Sequence, residues 1–168
     1  MNLTPSAPIT AIQSSLRTAV AAASAVAIAQ FLELEYPVYA VISAVLVMDL
    51  SPLKTRQLAV PRVLGSLLGA VVGGALSYPL PEGPLAIAVG ILVAMLISYG
   101  LRMPAAAKVA GYVSGIVVFA HGAHPWSYAY HRTMETLLGV GMAVLVSLVP
   151  KLLGMKLPSD AAANQSDL

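Results

Sequence analysis

Cysteine is absent from all 168 residues, which excludes a disulfide framework and any thiolate-held metal. Charge is nearly as scarce. Only 10% of residues are charged against 58% hydrophobic, where a soluble domain carries about 25% charged residues. Too few charges remain to cover the outside of a soluble core, so the composition points to a polytopic helical membrane protein. The formal charge of +2 is small and dispersed, with none of the basic striping that nucleic acid requires. No glycine-lysine phosphate loop, serine elbow or paired-carboxylate pattern is present, which argues against ATP as an energy source and against an enzyme. No cofactor is expected. Residues 1–15 lack a basic region followed by a short apolar core, so no cleaved signal peptide is read.

Proline, glycine and charge cut the chain into six apolar segments, at about 9–32, 37–50, 59–78, 84–99, 104–120 and 127–149. The second is short for a span of ~20 residues. Residues 51–57 read as a polar, basic connection, and Pro150 reads as the end of the sixth segment. The division is thus an N-terminal cytoplasmic segment at 1–8, a six-helix membrane domain at 9–150, and a disordered cytoplasmic tail at 151–168. Lys54, Arg56, Arg62, Arg102, Lys108, Lys151 and Lys156 fall on one side and Glu33, Glu35 and Glu82 on the other. Positive residues mark the cytoplasmic side, so both termini are expected there. Tyr36, Tyr39, Tyr78, Trp126, Tyr128 and Tyr130 sit where an outer aromatic belt would lie.

The third and sixth segments resemble each other. Arg62 to Ser77 and Arg132 to Ser147 share five of sixteen residues, including the arginine and the glycine at Gly69 and Gly139. Each half (9–79 and 84–150) then holds three helices. Three is odd, so the second half enters the membrane upside down, as in many secondary transporters. The expected fold is all-α, six transmembrane helices in two inverted triplets, with Arg62 toward the cytoplasmic end and Arg132 toward the outer end.

Four cations lie in or near apolar stretches: Arg17, Arg62, Lys108 and Arg132. A cation at a membrane helix centre costs roughly 2.5–3.5 kcal/mol on insertion scales, so each needs a reason. Arg17 has three readings: reaching to headgroups, pairing with Asp49, or attracting an anion at the inner mouth. Arg62 and Lys108 serve either as interfacial anchors or as an electropositive vestibule. Arg132 has Glu135 three residues on and either pairs with it or touches substrate. Gly65, Gly69 and Gly73 form a small-residue stripe, as do Gly111 and Gly115; these, with Gly139, suit close helix packing or the lining of a narrow passage. His121, His124 and His131 lack the spacing of a zinc site, and no metal is expected.

Several segments together resemble the fusaric acid resistance and aromatic acid exporter superfamily, related to the aluminium-activated malate transporters. They are Leu16-Arg17-Thr18-Ala19, Tyr36 through Ala44, Met48 through Pro52, Arg62 through Ala70, and Arg132 through Gly139. The resemblance covers about residues 16–149. It implies export of small organic anions, often aromatic carboxylates, across the inner membrane. Two departures are Tyr39, where the family often has tryptophan, and Ser66 in place of threonine. Many relatives carry two membrane halves and soluble domains. A single half without them implies a homo-oligomer in the bilayer, with Arg17, Arg62, Lys108 and Arg132 along the anion path and Asp49 and Glu135 as their partners. The rival readings are a non-transporting scaffold or subunit of a larger transport complex and, more remotely, an intramembrane enzyme.

Overall fold

A computed structural model describes residues 7–79, 83–120 and 124–152. The expected 1–8 segment lies mostly outside these residues, as do His121 and the tail from 153. The described residues form six helices: α1 (Ala7–Phe31), α2 (Val38–Val47), α3 (Pro52–Leu76), α4 (Pro84–Gly100), α5 (Pro104–Ala120) and α6 (Pro125–Leu152). The last four each begin on a proline, whose fixed φ suits the first helical turn and whose missing N–H is not needed there. Proline therefore punctuates this chain mainly as a starter. Two expectations change as a result. Pro52 opens α3 early, so Lys54 and Arg56 stand on its first turns and not in a loop. Pro150 does not end α6, which continues to Leu152.

Stretches of α1, α3 and α6 are long and apolar enough to cross a membrane: Ala11–Phe31, Pro52–Leu76 and Pro125–Val149. The ten residues of α2 rise only about 15 Å, half a bilayer core. The seventeen of α4 and of α5 reach about 25 Å.

Packing rests on small residues. Ala21, Ala25 and Ala29, one turn apart on α1, are buried, and Ala21 and Ala25 pack with Ala40 and Ala44 of α2. Gly65, Gly69 and Gly73 let α3 lie against the α5 backbone. A Cβ on them would sit 2.6, 2.8 and 2.7 Å from the Cβ atoms of Val109, Val113 and Val117. Gly139 does the same for α6 against α2, where a Cβ would strike the Ala40 carbonyl and lie 2.9 Å from the Ser43 Cβ. Gly111 and Gly115 turn the other way, toward Met95 and Ile91 of α4. Lipid offers no hydrophobic drive between helices, so such close approach supplies the association through dispersion contact.

The two halves match in detail. The contacts of Gly69 with Ala110 and Val113 and those of Gly139 with Ala40 and Ser43 are each displaced by 70 residues. Every contacting helix pair maps onto another contacting pair, or onto itself, when each helix is exchanged for the one three places away. The ends of α1 and α4 also agree. The Leu34 N–H donates to the Ala29 carbonyl and the Met103 N–H to the Ser98 carbonyl, both at 2.9 Å. Each closes over a non-glycine residue with positive φ, Glu33 (52°) and Arg102 (58°). This is the six-to-one helix ending that glycine usually supplies.

Candidate functional site: a paired-arginine cluster

Arg62 stands ten residues into α3 and is 4% exposed; Arg132 stands on α6 and is 1% exposed. Both side chains are therefore enclosed by protein and are not turned outward from the helix bundle. The guanidinium carbons lie 5.2 Å (Arg62) and 5.9 Å (Arg132) from the centre of the Tyr112 ring. Sharing that ring brings the two cations into one neighbourhood.

Helix α2 ties them together a second time. Arg132 lies over the Tyr39 ring, 3.4 Å from its centre. Arg62 Nη2 donates to Ser43 Oγ at 3.2 Å, and that hydroxyl donates to the Tyr39 carbonyl at 2.8 Å. The Tyr39 and Tyr128 hydroxyls share a hydrogen bond of 2.7 Å, and Tyr36 packs edge-on to Tyr128 with ring centres 5.0 Å apart. Tyr36, Tyr39 and Tyr128 therefore line the arginine cluster and do not form the outer belt expected for them. Tyr78, Trp126 and Tyr130 remain exposed.

Glu135 is fully buried on α6. Its Oε1 accepts the Tyr36 N–H at 2.6 Å. The expected ion pair with Arg132 is not closed: among the described residues the one ion pair within 4.0 Å is Lys54–Asp49, at 3.0 Å. Several buried polar atoms of the cluster have no hydrogen-bond partner. They are Arg62 Nε, Arg132 Nε and Nη1, Tyr112 Oη and Glu135 Oε2.

Magnitudes show why this matters. A desolvated cation–aromatic contact contributes about 2 kcal/mol, whereas dehydrating an ion costs several kcal/mol even after relaxation. Aromatic rings and one serine do not offset two buried guanidiniums. The arrangement is a set of pre-oriented donors around a deficit of negative charge, which is what an anion site requires.

The other predicted cations stand apart. Arg17 is half-buried and its Nη1 donates to the Leu50 carbonyl at 3.3 Å. Asp49, its expected partner, pairs with Lys54. Partial burial disfavours the Asp49 carboxylate, but the Ser51 N–H and the Lys54 ammonium outweigh that and hold its pKa below the usual value. Lys108 is exposed on α5. Tyr112 was the residue that sequence reading passed over, although a lone aromatic hydroxyl among the small residues of an apolar segment marks it. An apolar groove of about 230 Å³ between α3 and α6, lined by Leu67, Trp126, Tyr130 and Met134 among others, contains neither arginine.

The profile of a family described as fusaric acid resistance protein-like matches residues 22–146, which hold both arginines and Glu135. Neither a curated protein nor a solved structure matches the chain.

Proposed function

The chain belongs to the fusaric acid resistance protein-like family, a family of membrane transporters and not of enzymes, and from that premise we propose that it is a permease or efflux component for small organic anions such as aromatic carboxylates. The observation that carries this reading is the pair of buried arginines on one tyrosine ring, with donors left unpartnered and a single carboxylate nearby. A carboxylate entering the cluster would meet Arg62, Arg132 and the Tyr112 hydroxyl, and an aromatic ring would find Tyr36, Tyr39 and Tyr128 beside it. Each charge-assisted contact of this kind is worth about 1.5–3 kcal/mol.

The matched 70-residue contacts and the matched helix ends support two inverted three-helix units, with the anion path between them. In this reading all six helices cross the inner membrane, α2 within a thinned or protein-lined part of the span, and both termini face the cytoplasm. The exposed apolar faces of α1, which include Ile12, Leu16 and Val20, meet lipid or a second copy of the chain in a homo-oligomer.

The test is efflux of benzoate from proteoliposomes holding the purified chain. Arg62→Ala and Arg132→Ala should each lower flux by about tenfold to a hundredfold, the equivalent of one lost charge-assisted contact. Flux that is absent from the intact chain, or unchanged in both variants, removes the arginine cluster from transport and leaves a scaffold.

A further inference from the structure

Glu135 breaks the correspondence between the two arginine helices. It stands 70 residues after Gly65, just as Arg132 stands 70 after Arg62. Gly65 offers no side chain, and its backbone lies against Ala106. At the matching place the Glu135 side chain fills the gap and binds the Tyr36 N–H, again 70 residues away from Ala106. Among the described residues it is the only acid within a helix; Glu33, Glu35 and Asp49 lie in connections. Glu35, beside Tyr36, is exposed, so water screens its charge. Counted by formal charge, the buried groups of the cluster are two guanidiniums and one carboxylate, which leaves a single positive charge without a counter-ion.

Building on the anion-permease reading, we propose that Glu135 sets the charge of the solute, so that the site takes a monocarboxylate in preference to a dicarboxylate. A monoanion brings the cluster to neutrality. A dianion overshoots, and its second charge faces a carboxylate that water cannot screen. Glu135 is a specificity residue in this account. Its Oε1 bond to Tyr36 fixes its position, and the unpartnered Oε2 leaves one carboxylate oxygen uncommitted at the site.

The experiment compares two solutes of nearly equal shape, para-nitrobenzoate with one negative charge and terephthalate with two. Their binding to the full chain in lipid nanodiscs is measured by calorimetry at neutral pH. The intact protein should bind para-nitrobenzoate about tenfold more tightly or better. Glu135→Gln keeps the acceptor for the Tyr36 N–H and removes only the charge; it should erase or reverse that preference. Glu135→Gly, which copies position 65, should move the ratio the same way and serves if the glutamine variant does not fold. Tighter terephthalate binding by the intact protein, or an unchanged ratio in a folded variant, overturns the proposal. Binding of neither solute by the intact protein overturns the permease reading beneath it.

Discussion

Helices α3 and α6 carry the same framework and finish it differently. Both place an arginine, and seven residues later a glycine, against a partner helix: α5 for α3, α2 for α6. The α3 stripe continues with Gly65 and Gly73, so its length serves backbone approach. On α6 the matching places are Glu135 and Ala143. The arginine surroundings differ as well. Arg132 lies over one tyrosine and beside an acid, while Arg62 hydrogen-bonds a serine and has a more distant ring. The scaffold is thus duplicated, whereas the chemistry is concentrated on α6. Two copies of a packing solution hold one asymmetric polar centre.

Arg132→Lys tests that asymmetry hardest. Lysine keeps the charge but loses the flat guanidinium that covers Tyr39, so benzoate flux should fall nearly as far as with Arg132→Ala, by tenfold or more. Arg62→Lys should fall less, since Ser43 can still accept from an ammonium. Equal losses would mean that the arginines are interchangeable. Gly69→Val and Gly139→Val probe the shared scaffold. Both introduce a side chain where backbone or Cβ contacts leave no room, and each should cost about 1–3 kcal/mol by thermal or denaturant unfolding in detergent. A large difference between them would break the structural equivalence of the halves.

Smaller effects sharpen the comparison. Glu33→Gly and Arg102→Gly relieve the same left-handed strain at the ends of α1 and α4, and each should stabilise by up to about 1 kcal/mol. The Lys54–Asp49 pair gives the least. The matching positions are His124 and Phe119, so only the first half has it. Asp49 has a lowered pKa in the folded chain. Its contribution is therefore full above the unfolded value and disappears as pH falls through the folded one. Lys54 is 63% exposed, so Asp49→Asn should change stability by less than about 1 kcal/mol at neutral pH. Acid titration of the two proteins should converge at low pH.

The helix boundaries show what was readable in advance. The apolar runs were long, and proline and glycine marked their limits, so all six helices fell near their expected places. The early start of α3 was missed because Lys54 and Arg56 look like a loop, yet a helix N-terminus after Pro52 accommodates them on its exposed side. The tyrosines were misread for a related reason. Tyr36, Tyr39 and Tyr128 lie at segment ends, where a belt is expected, and no local pattern distinguishes a tyrosine facing lipid from one facing a buried arginine. Tyr112 gave only a faint signal. Arg132 and Glu135 were recognised as neighbours on one helix face, but their spacing did not reveal that Tyr39 and the Tyr36 N–H would claim them separately.

The sequence by itself determined that this chain is helical and apolar, that its third and sixth segments share an arginine and a glycine at one spacing, and that a few cations would be costly to bury. Hydropathy, proline positions and the Arg62/Arg132 match are local properties, and local properties fix helices. Which cations meet was a question of three dimensions. Close packing at Gly69 and Gly139 brings α5 and α2 against the arginine helices, and that approach gathers Arg62 and Arg132 about Tyr112 while leaving Arg17 and Lys108 elsewhere. Contacts between residues on different helices depend on how closely backbones pack, and no single helix encodes that distance.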